Sequence, residues 1–283
     1  MRFVSYLRDG AVRHGRLDDD TTIAELGDGD LQRLVEQGLP PGTEATARVG
    51  VGEVTLLAPL QRPGKLLAAA ANYQDHVTET GGEPLDKSRL SPRLFLKPPT
   101  SIVGPGAVIP LPDISHEVDW EAELAVVIGT AARNVSVADA LGHVAGYMAA
   151  NDVSARSVDY GFERDTDDKA VWFFDWLAGK WCDGFAPLGP WLLSADEAGD
   201  PQAIPIRLDL NGVTRQHGST KDMIFSVAEL IAHASRLMTL EPGDVILTGT
   251  PSGVGAATGE YLKPGDELLV DLGPLGTLRN TVA

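Results

Sequence analysis

The run Val118-Asp119-Trp120-Glu121-Ala122-Glu123-Leu124-Ala125-Val126-Val127-Ile128-Gly129 constrains this chain more than any other segment. Its second half is apolar at successive positions, so as a strand it is apolar on both faces and belongs in the middle of a covered sheet. Its first half alternates. Together with Glu117, the residues Asp119, Glu121 and Glu123 share one face, and Val118, Trp120, Ala122 and Leu124 share the other. Four carboxylates aligned on one face repel each other. On an exposed face water and salt screen that repulsion, whereas in a central strand a cation must offset it. Spacing alone leaves both readings open. On the second, Glu121 and Glu123 converge on one hard divalent ion such as Mg²⁺, which takes oxygen ligands at about 2.0–2.1 Å.

Turn residues set the rest of the architecture. Gly 31 and Pro 19, out of 283 residues, fall between short apolar runs, which predicts a mainly β chain with some α. Strands are expected at Arg2 to Leu7, Val54 to Leu57, Val118 to Gly129, Ile206 to Leu210, Asp244 to Leu247 and Glu267 to Asp271. The clearest helix is Val227 to Met238, where Ser226 and Glu229 have capping-box spacing and Val227, Leu230, Ile231, Ala234 and Met238 share a face. A second is expected after Ser136, with Val137, Ala140, Leu141 and Val144 in register. The first 50 or so residues are more polar, with Asp18-Asp19-Asp20 and the Pro40-Pro41 break, and composition shifts at APLQRPGK, residues 58–65. We therefore expect a small N-terminal β-rich domain over 1–62 and the main domain over 63–283.

Charge and cysteine content exclude several functions. Lys+Arg is 23 and Asp+Glu is 40, for a net charge of −17. That sign opposes nucleic acid, whose binding needs a basic footprint, and opposes an anionic membrane surface. With 43% hydrophobic and 22% charged residues the chain has ordinary globular composition. A single cysteine, Cys182, excludes an intrachain disulfide and a Cys-rich zinc site. The N-terminal residues meet charge too early for a signal peptide, and no apolar run reaches the roughly 18 residues of a membrane span. The expectation is a cytoplasmic protein.

Four further segments carry candidate chemistry. Asp152, within Gly146 to Arg156, is a possible third metal ligand, with an Asn-Asp turn as the competing reading. His76 and Glu79 lie three apart after the apolar stretch Leu66 to Ala71, so one helical turn brings them together as a general-base pair. A surface helix pair is the plainer alternative. Lys180 stands among aromatics, with tryptophans at 172, 176, 181 and 191, in a segment that covers a pocket or packs a subunit interface. Its side chain either pairs with an anionic substrate or snorkels at the surface. Finally, Leu247 to Gly255 (LTGTPSGVG) offers glycines for close backbone approach and the hydroxyls of Thr248, Thr250 and Ser252. It has neither the Gly-Lys-Ser/Thr of a Walker loop nor the following helix of a dinucleotide fingerprint. Cys182 reads as packing, and His143, His217 and His233 as structural or exposed.

In chain order, NYQDHVTE (72–79), PRLFLKPPTSIVGPG (92–106), EVDWEAELAVVIG (117–129), GYMAANDVSAR (146–156), GKWCDGFAPLGPW (179–191), LNGVTRQ (210–216) and LEPGDVILTGTPSGVG (240–255) together resemble the fumarylacetoacetate hydrolase family over roughly residues 60–283. The resemblance implies a mixed β-roll catalytic domain, commonly a homodimer. It implies that Glu121, Glu123 and Asp152 hold Mg²⁺, Mn²⁺ or Ca²⁺, that His76 and Glu79 activate water from a lid segment, and that Lys180 faces the substrate. Thr250 is implied as a substrate-oxygen ligand, with Tyr73, Arg156 and Asp159 beside the site. Two positions depart from the family pattern: Asp159 stands where many relatives have Gln, and Trp181-Cys182 where Ser-Phe is usual. The implied reaction is hydrolytic carbon-carbon cleavage of a small anionic β-diketo acid, an acylpyruvate or 2,4-diketo-3-deoxy sugar acid. Decarboxylation or keto-enol tautomerisation of a 2-oxo acid in the same fold is the alternative, and a noncatalytic binding protein is a third reading.

Overall fold

The computed structural model describes residues 1–40 and 42–283, so Pro41 of the Pro40-Pro41 break lies outside the described residues. The N-terminal segment begins with a meander, β1 (Arg2–Arg8), β2 (Ala11–Leu17) and β3 (Thr22–Asp28). Asp9-Gly10 closes its first hairpin with both residues at positive φ, 51° and 75°. A two-residue turn needs that backbone to match strand twist, and Asp-Gly adopts it at low cost. A short helix α1 (Gln32–Glu36), then β4 (Ala47–Gly50) against β3 and β5 (Thr55–Leu57) against β1, complete the segment. Val4, Tyr6, Ile23 and Val49 form its buried cluster.

The chain continues through β6 (Leu66–Ala70), α2 (Gln74–Glu79), β7 (Arg93–Leu96), the short β8 (Ile102–Val103) and β9 (Val108–Ile109), β10 (Val118–Asp119) and β11 (Ala122–Ile128). After α3 (Val137–Ala140) come β12 (Val144–Asn151), β13 (Ser154–Ala155), α4 (Lys169–Ala178), β14 (Ala186–Ser194) and α5 (Ala195–Ala198). The last elements are β15 (Pro205–Leu210), β16 (Val213–Ser219), α6 (Val227–Leu237), β17 (Val245–Leu247), β18 (Glu267–Asp271) and β19 (Thr277–Val282). The central sheet runs β4-β3-β2-β1-β14-β12-β11-β17-β6-β7, and a second sheet runs β16-β15-β18-β19-β9. β1 joins β14 through Arg2 opposite Leu193 and Phe3 opposite Leu192, so the N-terminal strands extend the central sheet.

The doubly apolar half of the opening run is explained by two cores. Leu124, Val126 and Ile128 of β11 pack with Leu208, Leu210, Val270 and Leu278 of the second sheet. The intervening Ala125 and Val127 join Met148, Leu188 and Leu192 on the other face, beneath Leu34 and Val35 of α1. Alternation along one strand therefore feeds two buried faces, each apolar side chain contributing about 1.5–3 kcal/mol. The architecture is mainly β with a minority of helix, and α6 starts where expected, with Ser226 and Glu229 forming a reciprocal capping box.

Two expectations need correction. The run Val118 to Gly129 is not one strand: it breaks at Trp120-Glu121, with β10 in a separate ribbon against β13 and β11 in the central sheet. Side chains take the ladder bonds there. Trp120 N–H donates to the Asp119 carboxylate at 2.8 Å, and Glu121 N–H to Asn151 Oδ1 at 2.9 Å. The helix after Ser136 is a single turn followed by a 3-10 turn, and Val144 opens β12. Ala140 is buried in the core and Val144 packs against it, but Val137 and Leu141 are exposed, so only part of the expected face is covered.

Candidate active site

The antiparallel register of β11 and β12 builds the acidic centre. Ala122 stands opposite Asn151, and Asp152 N–H donates to Glu121 O at 2.8 Å, so the ends of the two strands lie side by side. Glu121, Glu123 and Asp152 are all buried, and one oxygen from each lies within 4.8 Å of the others. Three uncompensated charges there would cost several kcal/mol each. Three cations oppose them. Lys180 Nζ lies 2.8 Å from both Glu121 Oε2 and Asp152 Oδ2. Lys97 Nζ donates to Asp152 Oδ1 at 2.5 Å and to Val153 O at 3.3 Å. Arg156 gives Nη2 to Glu121 Oε1 at 2.7 Å and Nε to Asp119 Oδ2 at 2.8 Å.

The electrostatics follow from this pairing. Burial would raise the Glu121 carboxyl, but Lys180, then Arg156 and His76, outweigh it and hold it well below the usual carboxylate range. Among the described residues Glu123 pairs with no ammonium, and burial reinforced by Asp152 and Glu121 pushes it up. Lys97 is pulled down by burial against the opposing pull of Asp152, while burial of Lys180 is outweighed by Asp152 and Glu121 and its ammonium is strengthened. The donor set is all carboxylate oxygen, and Lys180 already places a positive centre against two of the three groups. Both features fit a hard divalent ion.

The His76–Glu79 pair comes from the segment that follows β6. Ala71, at φ 54°, turns the chain out of β6, a conformation a non-glycine residue keeps only when its surroundings fix it. Asn72 does the fixing: its Nδ2 donates to Thr248 O at 2.8 Å and Phe225 O at 3.0 Å, and its Oδ1 accepts Phe225 N–H at 2.8 Å. Helix α2 follows, with His76 Nδ1 3.0 Å from Glu79 Oε1. Glu79 Oε2 accepts Gly253 N–H at 2.7 Å, which fixes the carboxylate that orients the imidazole. Gly249 donates its N–H to Glu123 Oε2 at 2.6 Å from φ 92°, and a Cβ there would meet Asn72 Cβ at 2.8 Å. Only glycine permits that approach.

The structure brings His76, Glu79, Glu121, Glu123, Asp152, Arg156 and Lys180 together. Lys180 is drawn into the acidic centre rather than left facing open space. Tyr73 is fully buried, its hydroxyl has no partner among the described residues, and burial together with the charge of Glu123 raises its phenol. The Thr250 hydroxyl donates to Ala122 O at 2.8 Å and accepts from Gln216 Nε2 at 2.7 Å, so it is engaged with the strand that carries Glu123. Asp159 is exposed, and its carboxylate accepts Gly161 N–H in its own turn at 2.7 Å. Trp181 is also exposed, with Nε1 donating to Leu96 O at 2.9 Å. Sequence reasoning missed Lys97, Asp119 as the partner of Arg156, and Gln216, which accepts Ala122 N–H at 2.8 Å. The one signal for Lys97 was a lysine ending the apolar stretch Leu94-Phe95-Leu96 ahead of Pro98-Pro99.

Comparison with known proteins agrees with this geometry. Residues 65–283 match the family described as Fumarylacetoacetate (FAA) hydrolase C-terminal. The chain is 38% identical over 289 residues to the 2,4-didehydro-3-deoxy-L-rhamnonate hydrolase of Sphingomonas sp. (strain SKA58), covering 100% of this chain and 96% of that protein. It is 44% identical over 232 residues to the mitochondrial oxaloacetate tautomerase FAHD2A of Homo sapiens, covering 81% of this chain and 70% of that protein. The solved fumarylacetoacetate hydrolase from psychrophilic Exiguobacterium antarcticum superposes with a TM-score of 0.84 at 34% identity, covering 100% of this chain and 99% of that one.

Proposed function

The chain belongs to the fumarylacetoacetate hydrolase family, and from that premise we propose that it is a divalent-metal-dependent hydrolase cleaving a carbon-carbon bond in a small β-diketo acid of the acylpyruvate or 2,4-diketo-3-deoxy sugar acid type. The observation that carries this reading is the His76–Glu79 pair at 3.0 Å. Glu79 ties Nδ1, which leaves Nε2 as the nitrogen that takes a proton, and His76 is near enough to the acidic centre to lower Glu121.

Glu121, Glu123 and Asp152 would hold Mg²⁺, Mn²⁺ or Ca²⁺, which when bound supplies Lewis-acid polarisation of the 2-oxo acid oxygens. His76 removes a proton from water, and the resulting hydroxide adds to the carbonyl remote from the carboxylate. The carbon-carbon bond then breaks, its electron pair passing to the pyruvate-type fragment as an enolate. His76 returns the proton to that fragment. Arg156 and Lys180 supply fixed positive charge where the enolate oxygen develops. Tyr73 lines the buried side, Thr250 braces the strand that carries Glu123 through Ala122 O and Gln216, and we place Asp159 at the outer substrate contact. In this reading residues 1–62 support the catalytic part, 63–283, and the family match beginning at residue 65 favours that division. A cytoplasmic homodimer completes it. The exposed aromatics of α4, Trp172 at 62% and Phe174 at 61%, favour burial against a second copy.

A second reading, keto-enol tautomerisation or decarboxylation of a 2-oxo acid, is favoured by the 44% identity to a protein named as an oxaloacetate tautomerase. One experiment separates the two. Purified protein with Mg²⁺ or Mn²⁺ is assayed on acylpyruvates, 2,4-diketo-3-deoxy acids and oxaloacetate, alongside His76→Ala. Hydrolysis by the wild type, abolished in the variant, supports the first reading. Tautomerisation or decarboxylation without hydrolysis, surviving in part in His76→Ala, establishes the second. No turnover of any member would overturn both.

A further inference from the structure

Five consecutive backbone N–H groups, Ser252 to Ala256, are each taken by a carboxylate oxygen. Ser252 donates to Asp75 Oδ2 at 3.3 Å, Gly253 to Glu79 Oε2 at 2.7 Å and Val254 to Glu79 Oε1 at 3.5 Å. Gly255 and Ala256 donate to Asp119 at 2.6 and 3.0 Å. Only Asp119 is anchored, through Arg156, to the acidic centre. The other two acids belong to α2, the helix that carries His76. That helix buries none of its six residues, so packing does little to hold it. Its side-chain hydrogen bonds to the glycine-rich loop run through Glu79 and Asp75. Glu79 is already committed to His76. Asp75 is free of that duty: one oxygen accepts Ser252 Oγ at 2.8 Å, and the other accepts His76 N–H at 2.9 Å.

We propose that Asp75 and Ser252 form a latch that fixes α2 against the 252–256 loop, which makes Asp75 a positioning residue for His76 in the reaction proposed above. The idea rests on that reading of the His76–Glu79 pair. Asp75 is exposed and Ser252 half-buried, and neither touches any of the three carboxylates of the acidic centre, so they act on where the base stands and leave that centre alone. A charge-assisted contact of this kind at the surface shifts an equilibrium roughly five- to tenfold.

Hydrogen exchange tests the latch without substrate. In Asp75→Ala and Ser252→Ala, exchange in a peptide spanning residues 72–82 should quicken about five- to tenfold, while the core strands β11 and β12 keep wild-type rates. The double variant should go no further than Asp75→Ala alone, because that change already removes the acceptor of the Ser252 hydroxyl. Asp75→Asn keeps an acceptor and should recover at least half of the protection. With a substrate turned over by the wild type, kcat/KM should fall by a similar factor at unchanged Mg²⁺ affinity. Unchanged exchange at 72–82, additive effects, or faster exchange throughout the core would each overturn the latch. Localised exchange in a protein that turns over no diketo acid would leave the latch standing and refute the proposed reaction instead.

Discussion

Replacing Lys97 by Met probes the charge balance of the acidic centre directly. The lysine side chain is fully buried, and its ammonium serves Asp152 Oδ1 and Val153 O. Methionine fills similar volume, so the change removes charge and donors with little loss of packing. Breaking a buried pair from one side costs about 3–5 kcal/mol. Asp152 keeps Lys180 at 2.8 Å, which argues for the lower end, about 3 kcal/mol. At roughly 2–4 °C per kcal/mol for a chain of this size, the unfolding midpoint in EDTA should fall by about 6–12 °C. On the proposed metal site saturating Mg²⁺ should put positive charge back against the same carboxylates, so the gap between variant and wild type should shrink to less than half. Linkage fixes the companion result: each 1.4 kcal/mol by which the gap narrows corresponds to about tenfold tighter Mg²⁺ binding by the variant. Thermal unfolding with and without the metal, together with calorimetric titration, reads both. An equal drop in the two conditions would show that Lys97 acts through packing alone, and no drop would remove the pair from the account of the site.

Two other outcomes follow from the same geometry. Glu123→Ala should abolish the Mg²⁺-dependent rise in midpoint together with turnover, and normal activity of that variant in a metal-free preparation would rule out the metal-dependent scheme. The chain carries a net charge of −17 and the proposed substrate is an anion, so long-range repulsion should slow encounter. Because that repulsion is screened beyond a Debye length of about 8–10 Å, kcat/KM should rise between roughly 20 and 200 mM salt at fixed Mg²⁺. A fall over that range would mean that positive field at the cleft mouth dominates approach.

What could be read from the sequence divides along the range of the forces involved. The α6 capping box and the His76–Glu79 turn are set within four residues of chain, and both lie where local spacing puts them. The meeting of Glu121 and Glu123 with Asp152 needed one further step, the register of two adjacent strands, and the demand for a cation in a central strand pointed to it. The break at Trp120 could not be foreseen, because Asp119 is turned aside by N–H groups of Gly255 and Ala256, more than a hundred residues away. Lys97 was hidden for another reason. A lysine at the end of an apolar strand ordinarily snorkels outward, and nothing local shows that this one meets an acid 55 residues further on. Thr250 shows the same limit. Its hydroxyl is claimed by Ala122 O and by Gln216, two groups from different strands.

The neutralisation of the acidic centre is likewise assembled from separated pieces of chain. Lys97 follows β7, Arg156 follows β13 and Lys180 follows α4, so no window of sequence contains the balance that lets three carboxylates stay buried. The acids themselves crowd into a few residues at the adjoining ends of two strands. Like charges placed that close are conspicuous in a sequence because they demand compensation. The compensating groups only have to arrive in space, and their positions along the chain carry no mark of it.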